Sequence, residues 1–235
     1  MAILIRDNPN VKAKVLQTQI KNTYGVEPSK RKIYRAKRKE LKMLKFGHVD
    51  CYGQLRKYGN ILLEMNLGSL AVVGIDTLSV TPKFQRFLLS FNAQITGFIR
   101  GCRPFIGLDG CHLKGPFGGV LLSVIPLDSY SGIFPIAVCV VENECRDSWS
   151  WFLGKLHEGL DVLDRTTTFM SDRQKGVLAA IKQQWPRADN RYCTRHFLAN
   201  LTKECPRLKA GSYFWKSTYK VNRQDFMEAM RASKK

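Results

Sequence analysis

Two aspartates each close an apolar, strand-forming run. Phe105-Ile106-Gly107-Leu108 leads into Asp109-Gly110-Cys111-His112-Leu113-Lys114-Gly115. Thr166-Thr167-Thr168-Phe169-Met170-Ser171 leads into Asp172, 63 positions after Asp109, and Arg173-Gln174-Lys175-Gly176 then opens a helical pattern. A carboxylate at the end of a buried strand sits at the rim of a sheet, and two on neighbouring strand ends suit a hard divalent cation, which prefers oxygen ligands. A pair of such cations clamps the attacking and leaving oxygens of a phosphodiester, so the chemistry in view is phosphoryl transfer. Taken singly, Asp109-Gly110 also reads as a hairpin turn and Asp172 as a helix N-cap. Cys193 and His196 have the gap of half a zinc finger without a matching second pair. Cys205, or Cys111 with His112, could complete it in space, yet zinc is the minority reading, and packing of Cys193 in the core stands beside it.

The elements that must position these groups follow from periodicity. After the Asp109 strand, residues 119–127 and 134–141 form two more apolar strands around the turn Asp128-Ser129-Tyr130-Ser131-Gly132, which predicts an antiparallel meander that Glu142-Asn143-Glu144 leaves. Asp147-Ser148 caps a helix with Trp149, Phe152, Leu153, Leu156 and Leu160 at helical spacing. The strand to Asp172 follows, then a helix with Val177, Leu178, Ile181 and Trp185 stopped by Pro186, a strand at 191–193, and a helix with Phe197, Leu198 and Leu201. The order is β-β-β-α-β-α-β-α.

Upstream, helices are predicted at 10–22 (Val11, Val15, Leu16 and Ile20 inward), at 30–46 after Pro28-Ser29 (Ile33, Tyr34, Leu41 and Leu44 inward), and at 50–67. Short strands are expected at 70–75 and 77–80, and a helix at 83–92, where Phe84, Phe87, Leu88 and Phe91 make a packing stripe. The second helix carries Lys30, Arg31, Arg35, Arg38, Lys39 and Lys42 on its outer face. Helix, glycine turn and basic helix resemble a helix-turn-helix, which leaves DNA contact and a merely solvated face both open.

At 235 residues, with 44% apolar and 11% aromatic content, the chain can bury a substantial core. The residues up to Ile5 are too short an apolar run for a signal peptide, and no stretch reaches the length of a membrane span, so a soluble protein without membrane partners is expected. Seven scattered cysteines point to reduced thiols. The formal charge is +19, distributed as +11 over residues 1–60, +2 over 61–104, −5 over 105–172 and +11 over 173–235. An acidic centre between basic flanks suits a metal-dependent enzyme that acts on a polyanion, and favours nucleic acid as partner.

The order of elements, with aspartates on the first and fourth strands, resembles the RNase H-like arrangement, a mixed sheet of three antiparallel strands plus parallel strands flanked by helices. The blocks Leu108-Asp109-Gly110-Cys111-His112-Leu113-Lys114-Gly115, Met170-Ser171-Asp172-Arg173-Gln174-Lys175-Gly176 and Cys193-Thr194-Arg195-His196-Phe197-Leu198-Ala199-Asn200-Leu201 resemble the three signature blocks of plant Mutator-like (MULE) transposases. The resemblance divides the chain into a basic helical segment (1–68), a connecting segment (69–102), the RNase H-like core (103–204) and the start of a helical insertion (205–235).

The resemblance implies a DDE transposase: two aspartates and a glutamate bind two Mg2+ or Mn2+ and direct water or a DNA 3′-hydroxyl at a phosphodiester. Asp109 and Asp172 take the first two places. In the family the glutamate comes after the insertion, and this chain stops at Lys235 before such a block. Glu158, Glu204 and Glu228 lack the expected surroundings, so an incomplete catalytic set and an inactive isolated chain are expected. A domesticated or decayed transposase that binds DNA or regulates transcription without cutting is the alternative, as is a non-functional reading frame. Cys193 and His196 form a family motif beside the site, where His196 could touch DNA or orient an acidic ligand. His112 and Lys114 are phosphate contacts or solvated loop residues, Arg173 and Lys175 lie at a helix start that suits an anion, and Arg195 joins them as a DNA contact. Trp149, Trp151, Trp185 and Trp215 read as core. A DNA substrate implies a nuclear location, and a homo-oligomer is compatible with it.

Overall fold

The computed structural model describes residues 2–78, 80–115, 117–159, 167–205 and 211–232, with the side chains of 45–49, 159, 212, 213 and 232 left aside. Ser79 of the expected 77–80 strand, Leu160 of the helical stripe and Thr166 lie outside the described residues.

Four helices lead: α1 (Ala2–Asp7), α2 (Ala13–Tyr24), α3 (Lys30–Gly53) and α4 (Leu55–Met65). Gly25, at φ 67°, ends α2 and donates its N–H to the Lys21 carbonyl, and the Ser29 side chain caps α3 by accepting from Lys32 N. Ile5, Val11, Leu16 and Ile33 form a small core with Ile20, Leu41 and Leu44 packed against it. Val15 and Tyr34, expected inward, are exposed. Each lies one residue from a buried neighbour, Leu16 or Ile33, and one residue turns a side chain by about 100° round the helix. The expected break at 46 is also displaced: α3 runs to Gly53, and the next helix starts at Leu55 rather than 50. Gly47 lies inside α3, where glycine costs only about 1 kcal/mol and neighbouring turns override it.

Next come β1 (Leu70–Asp76), β2 (Lys83–Ser90), α5 (Asn92–Gly101), β3 (Cys102–His112), β4 (Val120–Asp128), β5 (Ala137–Val141), α6 (Arg146–Gly159), β6 (Thr168–Ser171), α7 (Lys175–Gln184), β7 (Asp189–Tyr192), α8 (Thr194–Glu204), α9 (Gly211–Thr218) and α10 (Arg223–Ala232). The strands form one mixed sheet in the order β1-β2-β5-β4-β3-β6-β7. β3, β4 and β5 are the expected antiparallel meander, and β6 and β7 run parallel to β3. This is an RNase H-like α/β fold, its strand order in 102–192 following the predicted sequence of elements.

Residues 69–102, read in sequence as a connection, supply β1, β2 and α5, and β2 joins the sheet antiparallel to β5. The expected helix at 83–92 is therefore overturned. Phe84, Phe87, Leu88 and Phe91 fit a helical stripe, but Arg86, Leu88 and Ser90 are the buried positions, and period two is the strand's. Pairing on both sides outweighs the local pattern. Nor are residues 77, 78 and 80 a strand: Leu78 N donates to Asp76 Oδ1 at 2.9 Å in a turn, and Leu78 and Val80 are fully exposed.

One face of the sheet holds the core. Ile106 and Leu108 of β3, Val120, Leu122 and Val124 of β4, and Cys139 and Val141 of β5 are buried against Trp149, Phe152, Leu153 and Leu156 of α6 and Val177, Ala180 and Ile181 of α7. Because side chains alternate along a strand, Asp109 leaves β3 on the opposite face from Leu108.

Candidate metal and DNA site

Asp109 does not end its strand as expected. β3 continues to His112 because the hairpin partner β4 pairs with every residue from Asp109 (opposite Ser123) to His112 (opposite Val120). The rim position survives through the other neighbour. β3 and β6 pair in parallel as Phe105 with Thr168, Ile106 with Phe169 and Gly107 with Met170, a constant offset of 63 positions that then runs out. The same offset sets Asp172 level with Asp109, just beyond the end of β6, and equal positions on parallel strands share a face. β7 extends the row: Ser171 pairs with Tyr192, and Cys193 N donates to Ser171 O at 2.8 Å.

Local bonds fix both carboxylates. Gly110 N donates to Asp109 Oδ1 at 2.9 Å, and Ser123 Oγ to the Asp109 carbonyl at 3.2 Å. Gln174 N donates to Asp172 Oδ1 at 2.9 Å, while the Gln174 side chain caps α7 by accepting from Val177 N at 3.0 Å. His196, in the first turn of α8, places Nε2 3.8 Å from Asp109 Oδ1; its buried Nδ1 has no hydrogen-bond partner among the described residues. Half-buried Cys193 precedes α8, so of the pair it is His196 that reaches an acidic side chain.

Sequence reasoning missed Glu144. A Cβ built on Gly110 would stand 2.8 Å from Glu144 Cδ and Oε2, so the carboxyl lies in the space that glycine leaves beside Asp109. Trp149 Nε1 donates to Glu144 Oε1 at 3.3 Å, and Gln174 Nε2 to the Glu144 carbonyl at 3.0 Å. Gln174 thus links Asp172 to Glu144. A clue was available: the third strand of a meander runs parallel to the first, so the residues after Val141 return to the rim that holds Asp109. The glutamates weighed in sequence lie elsewhere. Glu158 pairs with Lys155 at 2.6 Å near the far end of α6, Glu204 closes α8 about 15 Å from its start at the helical rise, and Glu228 is on α10.

Burial pushes the Glu144 carboxyl above its ordinary range, and the Asp172 and Asp109 carboxylates push it the same way, against the Trp149 hydrogen bond and His112. A carboxyl raised in the fold costs stability once pH exceeds its unfolded value, because the chain must then ionise it in a poorer place. Glu144→Gln is therefore expected to raise the urea midpoint at pH 7 in metal-free buffer, with the gain shrinking to nothing below about pH 4. A variant less stable than the parent at pH 7 would contradict this sign.

The remaining candidates divide into two groups. His112 ends β3 and Lys114 lies in the following hairpin, both exposed; Lys175 opens α7 and Arg195 opens α8, also exposed. The Arg173 guanidinium lies 5.8 Å over the Phe197 ring, which stacks at 5.8 Å on Phe214 of α9. All five belong to segments that carry or adjoin Asp109, Asp172 or His196. Lys30, Arg31, Arg35, Arg38 and Lys39 form an exposed face on the N-terminal half of α3, apart from the site. Near the end of this helix Tyr52 meets Phe84 at 4.8 Å and Phe117 of the Lys114 hairpin at 5.3 Å.

Residues 105–200 match the family model of the MULE transposase domain, a span that contains Asp109, Glu144, Asp172, Cys193 and His196. No curated protein matches the chain. Among the described residues no helix is long and apolar enough to cross a membrane.

Proposed function

We propose that this chain, whose residues 105–200 are a MULE transposase domain, derives from a transposase whose ancestral reaction is metal-dependent cleavage and transfer of DNA strands at element ends. The observation that carries the reading is the shared 63-position offset, which sets Asp109 and Asp172 level on neighbouring parallel strands. The donor set fits Mg2+ or Mn2+: two hard carboxylates at a polar rim, each already oriented by a backbone N–H. Bound there, the ions would supply charge neutralisation at the phosphodiester. The chain's own groups do the rest. Asp109 and Asp172 would hold the cation, with His196 orienting Asp109 and Gln174 orienting Asp172. Arg173, Lys175, Arg195, His112 and Lys114 take the backbone phosphates round the rim, with Arg173 and Lys175 at the start of α7 where helix N–H groups favour an anion. Glu158 is paired with Lys155 and Glu204 lies at the far end of α8, and on this reading the isolated chain cleaves little or not at all. Its place of action is the nucleus, where its DNA is, and a homo-oligomer that pairs two DNA ends suits the reaction.

Mn2+ titration of the full chain tests this. Wild type is expected to bind, and Asp109→Asn and Asp172→Asn to bind more than about 100-fold more weakly, since even loss of a ligand's outer partner costs roughly 10–100-fold. Equal binding by all three sinks the metal assignment. Nicking of supercoiled DNA in Mn2+ that disappears in Asp109→Ala overturns the inactivity.

The separation of the basic α3 face from the carboxylates favours a second reading, a domesticated or decayed transposase that binds DNA or regulates transcription without cutting. Salt-sensitive duplex binding indifferent to Asp109 and Asp172 would select it, whereas binding lost on removal of divalent metal would reject it.

A further inference from the structure

We infer that the rings of Phe197, Phe214, Trp215 and Tyr219 form a stacking platform for the unpaired bases of a DNA strand beside the carboxylate rim. The inference rests on the proposed action on DNA and deepens it by naming the form of DNA taken. The row of rings starts at the site. Arg173, the residue after Asp172, lies 5.8 Å over the Phe197 ring, and His196, the residue before Phe197, places Nε2 3.8 Å from Asp109 Oδ1. Phe197 is therefore tied to Asp172 through Arg173 and to Asp109 through His196. From there the rings follow one another. Phe197 and Phe214 lie nearly parallel with centroids 5.8 Å apart, Phe214 meets Trp215 edge to face at 5.6 Å, and Trp215 meets Tyr219 at 6.3 Å.

These rings are not core. No described residue of α8 is buried, and Phe197 is 40% and Tyr219 78% exposed, whereas Trp149, Phe152, Phe169 and Trp185 of the sheet core are at most 2% exposed. Trp215, read in sequence as core, is half-buried. Every base has a π-face, so accessible rings at successive positions hold bases whatever their identity, and a guanidinium beside the first ring adds a cation–π contact. Charge selects a nucleic acid over an apolar partner. Residues 173–235 carry +11, and the exposed cations Arg195 and Lys220 stand close in the chain to Phe197 and Tyr219, the two ends of the row. A duplex hides its base faces within the stack, so the platform takes a strand that is open. Position selects DNA over RNA, since the row adjoins the carboxylates at which the proposed reaction handles DNA.

Fluorescence anisotropy of the full chain with labelled DNA, in metal-free buffer, tests this apart from the metal assignment. Wild type is expected to bind a single strand of about 12 thymidines, and Phe197→Ala and Tyr219→Ala to bind it at least about fivefold more weakly each, the loss of one stacked base. Tyr219→Phe keeps the ring and should bind as wild type. An abasic strand of the same length keeps every phosphate and lacks the bases. It should bind all three proteins alike, at least about fivefold more weakly than wild type binds the thymidine strand. A blunt duplex should also bind wild type and both alanine variants alike. Circular dichroism melts confirm that each variant is folded, and the abasic strand makes the comparison on the unaltered protein. Equal affinity of wild type for the thymidine and abasic strands overturns the inference, as does an equal loss of duplex and single-strand binding in the variants. In either case duplex binding by wild type leaves the proposed function standing. Binding of neither form overturns both. An oligouridylate held more tightly than the thymidine strand makes the occupant RNA and overturns the choice of DNA.

Discussion

Replacing Lys30, Arg31, Arg35, Arg38 and Lys39 together by glutamine is expected to reduce duplex DNA affinity more than 100-fold at about 0.1 M salt. Each phosphate neutralised by a protein cation contributes about −0.9 to the slope of log affinity against log salt. Five contacts therefore remove about 4 to 5 from that slope, and at low salt this difference is a large factor in binding. All five side chains are exposed on α3, whose inward positions are Ile33, Leu41 and Leu44, so the substitutions leave the small N-terminal core untouched. Glutamine also keeps helix propensity close to that of lysine and arginine. The check is a fluorescence-anisotropy titration at several salt concentrations. A slope reduced by less than about 1 would show that α3 is only a solvated face, and that DNA is held round the carboxylates by Arg173, Lys175 and Arg195 instead.

The second large effect lies inside the sheet. Arg86 is 3% exposed, with its Nε 3.0 Å from Glu142 Oε2 and further bonds from Nη2 to Glu142 Oε1 and Asp147 Oδ2. Its guanidinium also lies 5.8 Å over the Trp151 ring. Glu142→Ala leaves that buried cation with Asp147 as its one carboxylate among the described residues, a side chain that is 80% exposed, and is expected to cost about 3 kcal/mol, at the lower end for a broken buried pair because one partner remains. Arg86→Met should cost less. It removes the buried charge itself, keeps the apolar stem, and leaves carboxylates that water can reach. Urea unfolding at pH 7 ranks the two, and an Arg86→Met variant less stable than Glu142→Ala would refute the account.

The same pair carries a pH dependence. The Arg86 hydrogen bond holds the Glu142 carboxyl below its ordinary value of 4.5. A depressed carboxylate contributes stability that is present above its unfolded pKa and lost as pH falls through the folded one. Wild type should therefore lose stability as pH drops below about 4.5, and this part of the loss should be missing from Arg86→Met. It runs opposite to the Glu144 effect, since Glu144 is raised by burial while Glu142 is lowered by a cation.

Much of the fold was legible because its determinants are local. The meander was visible as three apolar runs broken by Asp128 to Gly132, where Asp128 Oδ1 indeed accepts from Tyr130 N at 2.9 Å and Gly132 N at 2.7 Å. The two helices that cover the core were visible as stripes at helical spacing, and both Asp109 and Asp172 as carboxylates at the close of apolar runs. Where a segment's state depends on its partners, local pattern misled. Residues 83–90 carry a helical stripe but are a strand, because β1 and β5 offer ladders on either side. The extent of β3 past Asp109 was likewise set by β4.

The sequence by itself determined the order of elements from β3 to α8, the two aspartates, the histidine of the third block and the charge distribution, since each is a property of residue type and short-range spacing. Tertiary structure alone decided which groups meet. It set the strand register that makes Asp109 and Asp172 level, brought His196 to Asp109, and joined Arg86 to Glu142 and Asp147 across 56 and 61 positions. It also turned Glu144, an inconspicuous residue at a strand exit, towards the same rim. Contacts between residues so far apart depend on sheet topology and packing, and neither periodicity nor spacing encodes them.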